Sequence, residues 1–315
     1  MTHVIRTYYR VAEHLFAVEY THAALASLPT NYEPFSVSHL STEQPIFLLR
    51  IELNGLICEA QRNMYTHIFS DISDEDMPRI EVYQNPYTWL FRVSQVANSP
   101  ICCELQCNKD FTQAVLHIAS QDNDLRFCID NALMLMYAFR TAPLMTLEMH
   151  AAVVIKNSNT RHPISEQTAY VFLGHSGTGK STHAQQWLKA FPDACLLNDD
   201  NPILRVMDNG EVRIYGSPWS GKTPCYKNAH ARVAGIIKLS QAPHNKAKNI
   251  SLPEAYANIL SSASGLKINK YMADGIYNTI KHIITHIHCY HLECLPNTDA
   301  AKLCFDHSKE NEEKQ

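Results

Sequence analysis

The sequence predicts a mixed α/β fold, α+β in its layout, with a β-rich N-terminal region ahead of an α/β core. Three observations carry this expectation. Through about residue 120 the chain is a series of short apolar or alternating runs separated by turn-forming clusters. Residues 124–140 then switch to a helical period. Between residues 169 and 191 an apolar run, a glycine-rich loop and a stretch of helical composition follow without interruption.

In the N-terminal region Pro45–Leu56, Thr66–Phe69, Arg79–Tyr83, Thr88–Val93 and Val115–Ala119 read as strands. Asn54-Gly55, Asp71–Asp76 and Asn85-Pro86 supply turns between them. Over Asp124–Arg140, Phe127, Ala132, Leu135, Met136 and Phe139 share one broad helix face, and Pro143 ends the helix. Thr146–Ile155 is expected as one strand, 157–167 as a polar connector and Ala169–Leu173 as a buried strand. Ser181–Phe191 reads as a helix, and Ala194–Leu197 as a short strand ending in Asn198-Asp199-Asp200. Pro202–Met207 and Val212–Tyr215 are strands joined by Asp208-Asn209-Gly210. Val233–Leu239 is another strand, Leu252 to about Ile287 is helical, and Cys289–Leu295 closes the pattern as a strand. The expected domains are 1–142, the β-rich region ending in a helix; 143–306, the α/β core; and 307–315, a charged tail. There is no internal repeat or extended low-complexity tract.

At 315 residues the chain is long enough for two domains of ordinary size. Its 45% hydrophobic and 18% charged residues place it among folded chains. A formal charge of −4 gives no global basic field, so neither nucleic acid nor an anionic membrane is an expected partner. The first residues lack the apolar stretch of a secretory signal, and the densest apolar run, Ala132–Phe139, is far short of the roughly 20 residues that span a bilayer. A soluble cytoplasmic protein is expected. The ten cysteines are scattered and suit reduced, buried thiols.

Gly174-His175-Ser176-Gly177-Thr178-Gly179-Lys180-Ser181 fits G-x-x-x-x-G-K-[ST] in full. Gly177 and Gly179 permit backbone conformations that turn successive N–H groups toward phosphates. The helix that follows adds the positive end of its dipole. Lys180 is expected to reach the terminal phosphates of a nucleoside triphosphate, and the Ser181 hydroxyl to ligate Mg²⁺, with Thr182 supporting it. Asp199 and Asp200 follow Lys180 at a distance that accommodates a helix, a turn and a short strand. One carboxylate then binds the metal, and the other orients a hydroxyl nucleophile or accepts its proton. Taken alone, Asp-Asp-Asn-Pro is also ordinary turn chemistry; its position after the loop favours the functional reading.

With these residues in view, the chain resembles the HPr kinase/phosphorylase family. The resemblance rests on His150-Ala-Ala-Val-Val-Ile, on GHSGTGKST over 174–182 and on LLNDD over 196–200, and covers about residues 146–206. ATP-dependent phosphoenolpyruvate carboxykinase shares this core fold and order. The resemblance implies a P-loop core of the HPr kinase/PEP carboxykinase type, with His150 near the metal and the transferred phosphate. It implies that Lys180 and Ser181 hold phosphates and Mg²⁺, and that Asp199 and Asp200 divide base and metal duties. The implied activity is transfer of the γ-phosphoryl of ATP to a serine-type hydroxyl on a protein, a peptide or a small molecule. A nucleotide-dependent regulatory protein and a carboxykinase-like enzyme are the alternatives, and a homo-oligomer is compatible with all three.

The segment Tyr215-Gly216-Ser217-Pro218-Trp219-Ser220-Gly221-Lys222-Thr223 reads as a substrate-contacting loop in which Lys222 neutralises charge on the phosphoryl group. A glycine- and proline-rich surface turn is the plainer alternative. Lys227 and Arg232 are expected as surface charges. Cys102-Cys103-x-x-x-Cys107 lacks the partners of a zinc site, and strand alternation points Cys102 and Cys103 to opposite faces. His282, His286, His288 and His291 cluster without acidic or cysteine partners at ligand spacing; His282 and His286, four apart, read as a polar helix face rather than a metal site.

Overall fold

The computed structural model describes residues 4–21, 25–38, 42–53, 55–71, 78–120, 124–157, 167–221 and 223–312. The chain is a β-rich mixture of strands and helices and divides into two compact units, Met1–Arg140 and Thr141–Gln315. Among the described residues no helix is long and apolar enough to cross a membrane.

The first unit is a nine-stranded sheet. Its strands are β1 (Val4–Val11), β2 (His14–Thr21), β3 (Ser36–Val37), β4 (Leu48–Glu52), β5 (Thr66–Asp71), β6 (Arg79–Gln84), β7 (Thr88–Ser94), β8 (Ile101–Asn108) and β9 (Gln113–Ile118). They are ordered β3-β1-β2-β4-β9-β8-β7-β6-β5. A single helical turn, α1 (Glu59–Arg62), links β4 to β5, and α2 (Leu125–Thr141) packs its apolar side on the sheet. Phe139 of α2 packs a tilted ring on Phe91 and an edge on Phe111, and the buried Tyr137 hydroxyl donates to the Val11 carbonyl at 3.0 Å.

The second unit holds β10 (Thr146–Glu148), β11 (Ala151–Asn157), β12 (Gln167–Leu173), β13 (Ala194–Asn198), β14 (Ile203–Val206), β15 (Val212–Tyr215), β16 (His230–Gln241), β17 (Lys246–Asn249) and β18 (Cys289–Cys294). Seven of them run in the order β10-β14-β15-β16-β12-β11-β13; β18 pairs with β16, and β17 with β18. Its helices are α3 (Lys180–Ala190), α4 (Leu252–Ser262), α5 (Lys270–His286) and α6 (Thr298–Glu312). The α3 and α6 pair closes a core with β12, β16 and β18, in which the fully buried Trp187 packs on Tyr170, Phe172 and Phe305.

Several sequence expectations change here. Thr146–Ile155 is two strands, β10 and β11, which lie at separate places in the sheet. The break is tertiary: Met149 bridges to Ala263, and the His150 N–H donates to the Ser262 carbonyl at 2.7 Å. The helical stretch from Leu252 is two helices, the second started by Asn269, whose side chain accepts from the Met272 N–H at 3.2 Å. α6 carries the charged residues from His307 onward as far as Glu312. The connector through 158–166 and most of the turn at 71–76 lie outside the described residues.

Candidate active site

Strand register places the predicted site. β11 runs antiparallel to both β12 and β13, with Ala151 opposite Leu173 and Val153 opposite Asn198. The start of β11 therefore lies beside the ends of β12 and β13. His150, Gly174 and Asp199 are the next residues at those three termini, so one sheet edge collects them. The Ala151 N–H donates to the Asp200 carbonyl at 3.0 Å and closes the edge.

The loop from Gly174 enters α3 through Gly177 at φ +76° and Gly179 at φ +102°. A side chain there meets open space but a strained backbone, so the requirement for glycine is conformational. α3 begins at Lys180, with Ser181 and Thr182 in its first turn, where backbone N–H groups lack intrahelical partners.

Lys180 is buried and its three donors are all engaged. They reach the Gly174 carbonyl at 2.9 Å, the His175 carbonyl at 3.3 Å and His150 Nε2 at 2.8 Å. A lysine only donates, so Nε2 accepts and the imidazole proton sits on Nδ1. Nδ1 lies 3.2 Å from Asp200 Oδ1. The result is a directed chain, Lys180 to His150 to Asp200. Burial lowers the Lys180 pKa; Asp200 and Asp199 oppose that, while Lys238 reinforces it.

Asn198, fully buried, fixes the acid pair. Its carboxamide oxygen accepts from the N–H groups of Asp200 (2.9 Å) and Asn201 (2.8 Å). Its amide donates to Ser217 Oγ (3.2 Å) and the Trp219 carbonyl (2.8 Å). Asp199 is buried beside it, with Oδ2 unpartnered among the described residues. The 215–223 loop lies against the pair: a Cβ on Gly221 falls 3.1 Å from Asp200 Cβ. Lys222 itself lies outside the described residues. Lys227 is exposed, as expected, and its ammonium donates to the Leu196 carbonyl at 2.6 Å, so it ties the loop to β13. Arg232 is exposed on β16. Asn198→Ala strips partners from four polar groups, and is expected to cost on the order of 3 kcal/mol in urea unfolding while freeing the acid pair to move.

A cleft of about 660 Å³ adjoins the loop, lined by Thr178, Gly179, Thr182, His183, Gln241 and the 294–296 segment. Gln241 Nε2 donates to the Gly177 carbonyl at 3.1 Å. The buried His183 accepts from Trp187 Nε1 at 3.1 Å through Nε2, which leaves its Nδ1 buried and unpartnered. Burial pushes its pKa from 6.5 down to about 4. The neutral ring therefore stabilises the fold fully above pH 6.5, and this contribution is lost as pH falls toward 4, about 3 kcal/mol in all. His183→Gln is expected to flatten the loss of stability across that window, measured by thermal melting.

Sequence reasoning missed four residues at this site. Asn198 was visible only as turn chemistry. Lys238 faces Leu173 in the parallel β12–β16 pair, a pairing the sequence does not announce. His183 reads locally as a helix residue. Glu148 is buried on β10, with Oε2 unpartnered, and its carboxyl is held well above the usual range by burial and then by Asp200. It lay inside a run that reads as plain strand.

In comparisons with known proteins, no family model matches this chain, and no curated protein does.

Proposed function

We propose that the second unit is an ATP- and Mg²⁺-dependent phosphotransferase with a P-loop core of the HPr kinase/PEP carboxykinase type, acting on a serine-type hydroxyl. The observation that carries the reading is the convergence of His150, the 174–182 loop and Asp199-Asp200 at one sheet edge, joined by the Lys180–His150–Asp200 chain. A nucleotide-binding module that performs no chemistry has little use for a second carboxylate placed by its own buried asparagine.

The donor set fits a hard cation: Asp199 offers a buried, unpartnered carboxylate oxygen, and Ser181 a half-buried hydroxyl at the start of α3. Bound there, Mg²⁺ would neutralise phosphate charge. The triphosphate rests on the N-terminus of α3, with Lys180 exchanging its loop carbonyls for phosphate oxygens. The nearby Lys238 adds a second positive charge. The nucleoside enters the adjoining cleft, where Thr178, Thr182 and Gln241 supply polar groups.

Asp200 is the group for the acceptor. It is half-exposed, and His150 Nδ1 fixes its orientation. It holds the incoming hydroxyl and takes its proton as the oxygen attacks the γ-phosphorus; ADP leaves in line. Catalysis then rests on positioning and charge neutralisation. The test is acceptor-dependent ADP release with Mg²⁺·ATP and a panel of free serine, serine peptides and the small carrier protein HPr. Release that rises with one acceptor supports the reading. ATP binding with no acceptor-dependent release from any hydroxyl compound favours a regulatory module instead.

A further inference from the structure

The first unit gathers three thiols away from the site just described. Strand alternation predicts opposite faces for Cys102 and Cys103, and the structure corrects this. Val93 pairs with Cys103 and Ser94 with Ile101, so Cys102 is the extra residue of a β-bulge in β8. The bulge re-aims one side chain, and the sulfurs of Cys102, Cys103 and Cys128 of α2 lie within 4.8 Å of one another. All three residues are buried, between 0% and 5% exposed.

A metal–sulfur bond of about 2.3 Å sets the edges of a trigonal three-sulfur site at about 4 Å, so small side-chain shifts close this triangle around an ion. Among the described residues no fourth histidine, cysteine or carboxylate joins the group. Structural zinc takes four ligands, and catalytic zinc keeps a position open to water. Three buried sulfurs alone suit a soft cation content with low coordination, and thiolates select such ions. A disulfide uses two sulfurs and gives no role to the third.

We propose that Cys102, Cys103 and Cys128 form a buried all-sulfur site for a soft, thiophilic cation of the Cu(I) class. Each coordinating thiol releases its proton to solvent as its metal–sulfur bond forms, with no change in oxidation state. The ion enters through local opening of the α2–β8 contact. Once bound, it clamps helix to sheet and stabilises the unit.

The test uses the full-length reduced protein, equilibrated anaerobically with Cu(I) against a chromogenic competitor, and with Cd(II) as an ultraviolet probe of thiolate ligation. The expected result is one tight ion per chain and a raised melting temperature. Cys102→Ser, Cys103→Ser and Cys128→Ser each weaken binding at least about tenfold. Cys107→Ser, a buried thiol on the same strand, leaves uptake unchanged. Should the serine variants fail to fold, the parent decides: the ultraviolet Cd(II)–thiolate band must have the intensity of three sulfurs per bound ion, and a band of one or two sulfurs overturns the proposal. Absence of uptake, equal uptake by Cys128→Ser and the parent, or a disulfide among the three with no metal binding each overturns the proposal.

Discussion

Asp199→Asn and Asp200→Asn are each expected to cut phosphoryl transfer severely while leaving ATP binding measurable. The two lesions differ in kind. Asp199 presents its buried Oδ2 without a partner, so its amide variant keeps the shape and loses the charge a divalent cation needs. The account predicts a steeply raised Mg²⁺ requirement, with residual activity recovered in part at high Mg²⁺. Asp200 is tied to His150, and its amide variant cannot accept the hydroxyl proton. Here the account predicts a fall in kcat of roughly 10²–10⁴ with little change in Mg²⁺ dependence. Steady-state kinetics over an Mg²⁺ series separates the two. Full transfer by both variants contradicts the site.

Lys180→Ala carries the second large effect. The buried ammonium sits between loop carbonyls and the His150 ring. Its removal takes away phosphate neutralisation and releases His150, so two links of the site fail together. Affinity for ATP is expected to drop by at least about 3 kcal/mol, beyond a hundredfold, since a charge-assisted contact and its geometry are both lost. Fluorescent-nucleotide titration reads this directly. Melting temperature serves as the control: alanine also removes a buried charge, so the fold is expected to hold. A variant that binds ATP like the parent shows that the loop is a structural turn.

What the sequence made legible follows the range of the forces involved. The β12–loop–α3 unit is local, and its glycines, apolar strand and helix start are contiguous, so the expected strand, loop and helix are found over 169–190. Asp199 and Asp200 were equally visible, because a strand end is a local event. The break at His150 was not. Thr146–Ile155 is continuously strand-like, and the interruption comes from Ala263 and Ser262, more than a hundred residues away. The β1–β2 hairpin was missed for a different reason. Its turn residues, Ala12 and Glu13, take φ of +43° and +67° without the glycine or asparagine that announces such a turn. β8 was read as strand only at Cys102-Cys103, because Glu104 and Gln106 break the apolar pattern beyond them; Glu104 is buried on Arg92, a pairing across to β7 at 2.9 Å. Bulges likewise leave no mark in composition, which is why Cys102 and Cys103 were assigned to opposite faces.

The central claim is that the edge formed by His150, Lys180 and the Asp199-Asp200 pair moves a γ-phosphoryl group to a hydroxyl. The most direct measurement incubates the protein with Mg²⁺ and ATP labelled at either the γ- or the α-phosphate, with hydroxyl acceptors from free serine to peptides. The account predicts label from the γ position alone, recovered on the acceptor as a phosphoserine-type ester and absent when Asp200 is replaced by Asn. Label recovered only as inorganic phosphate, or transferred from the α position, contradicts it.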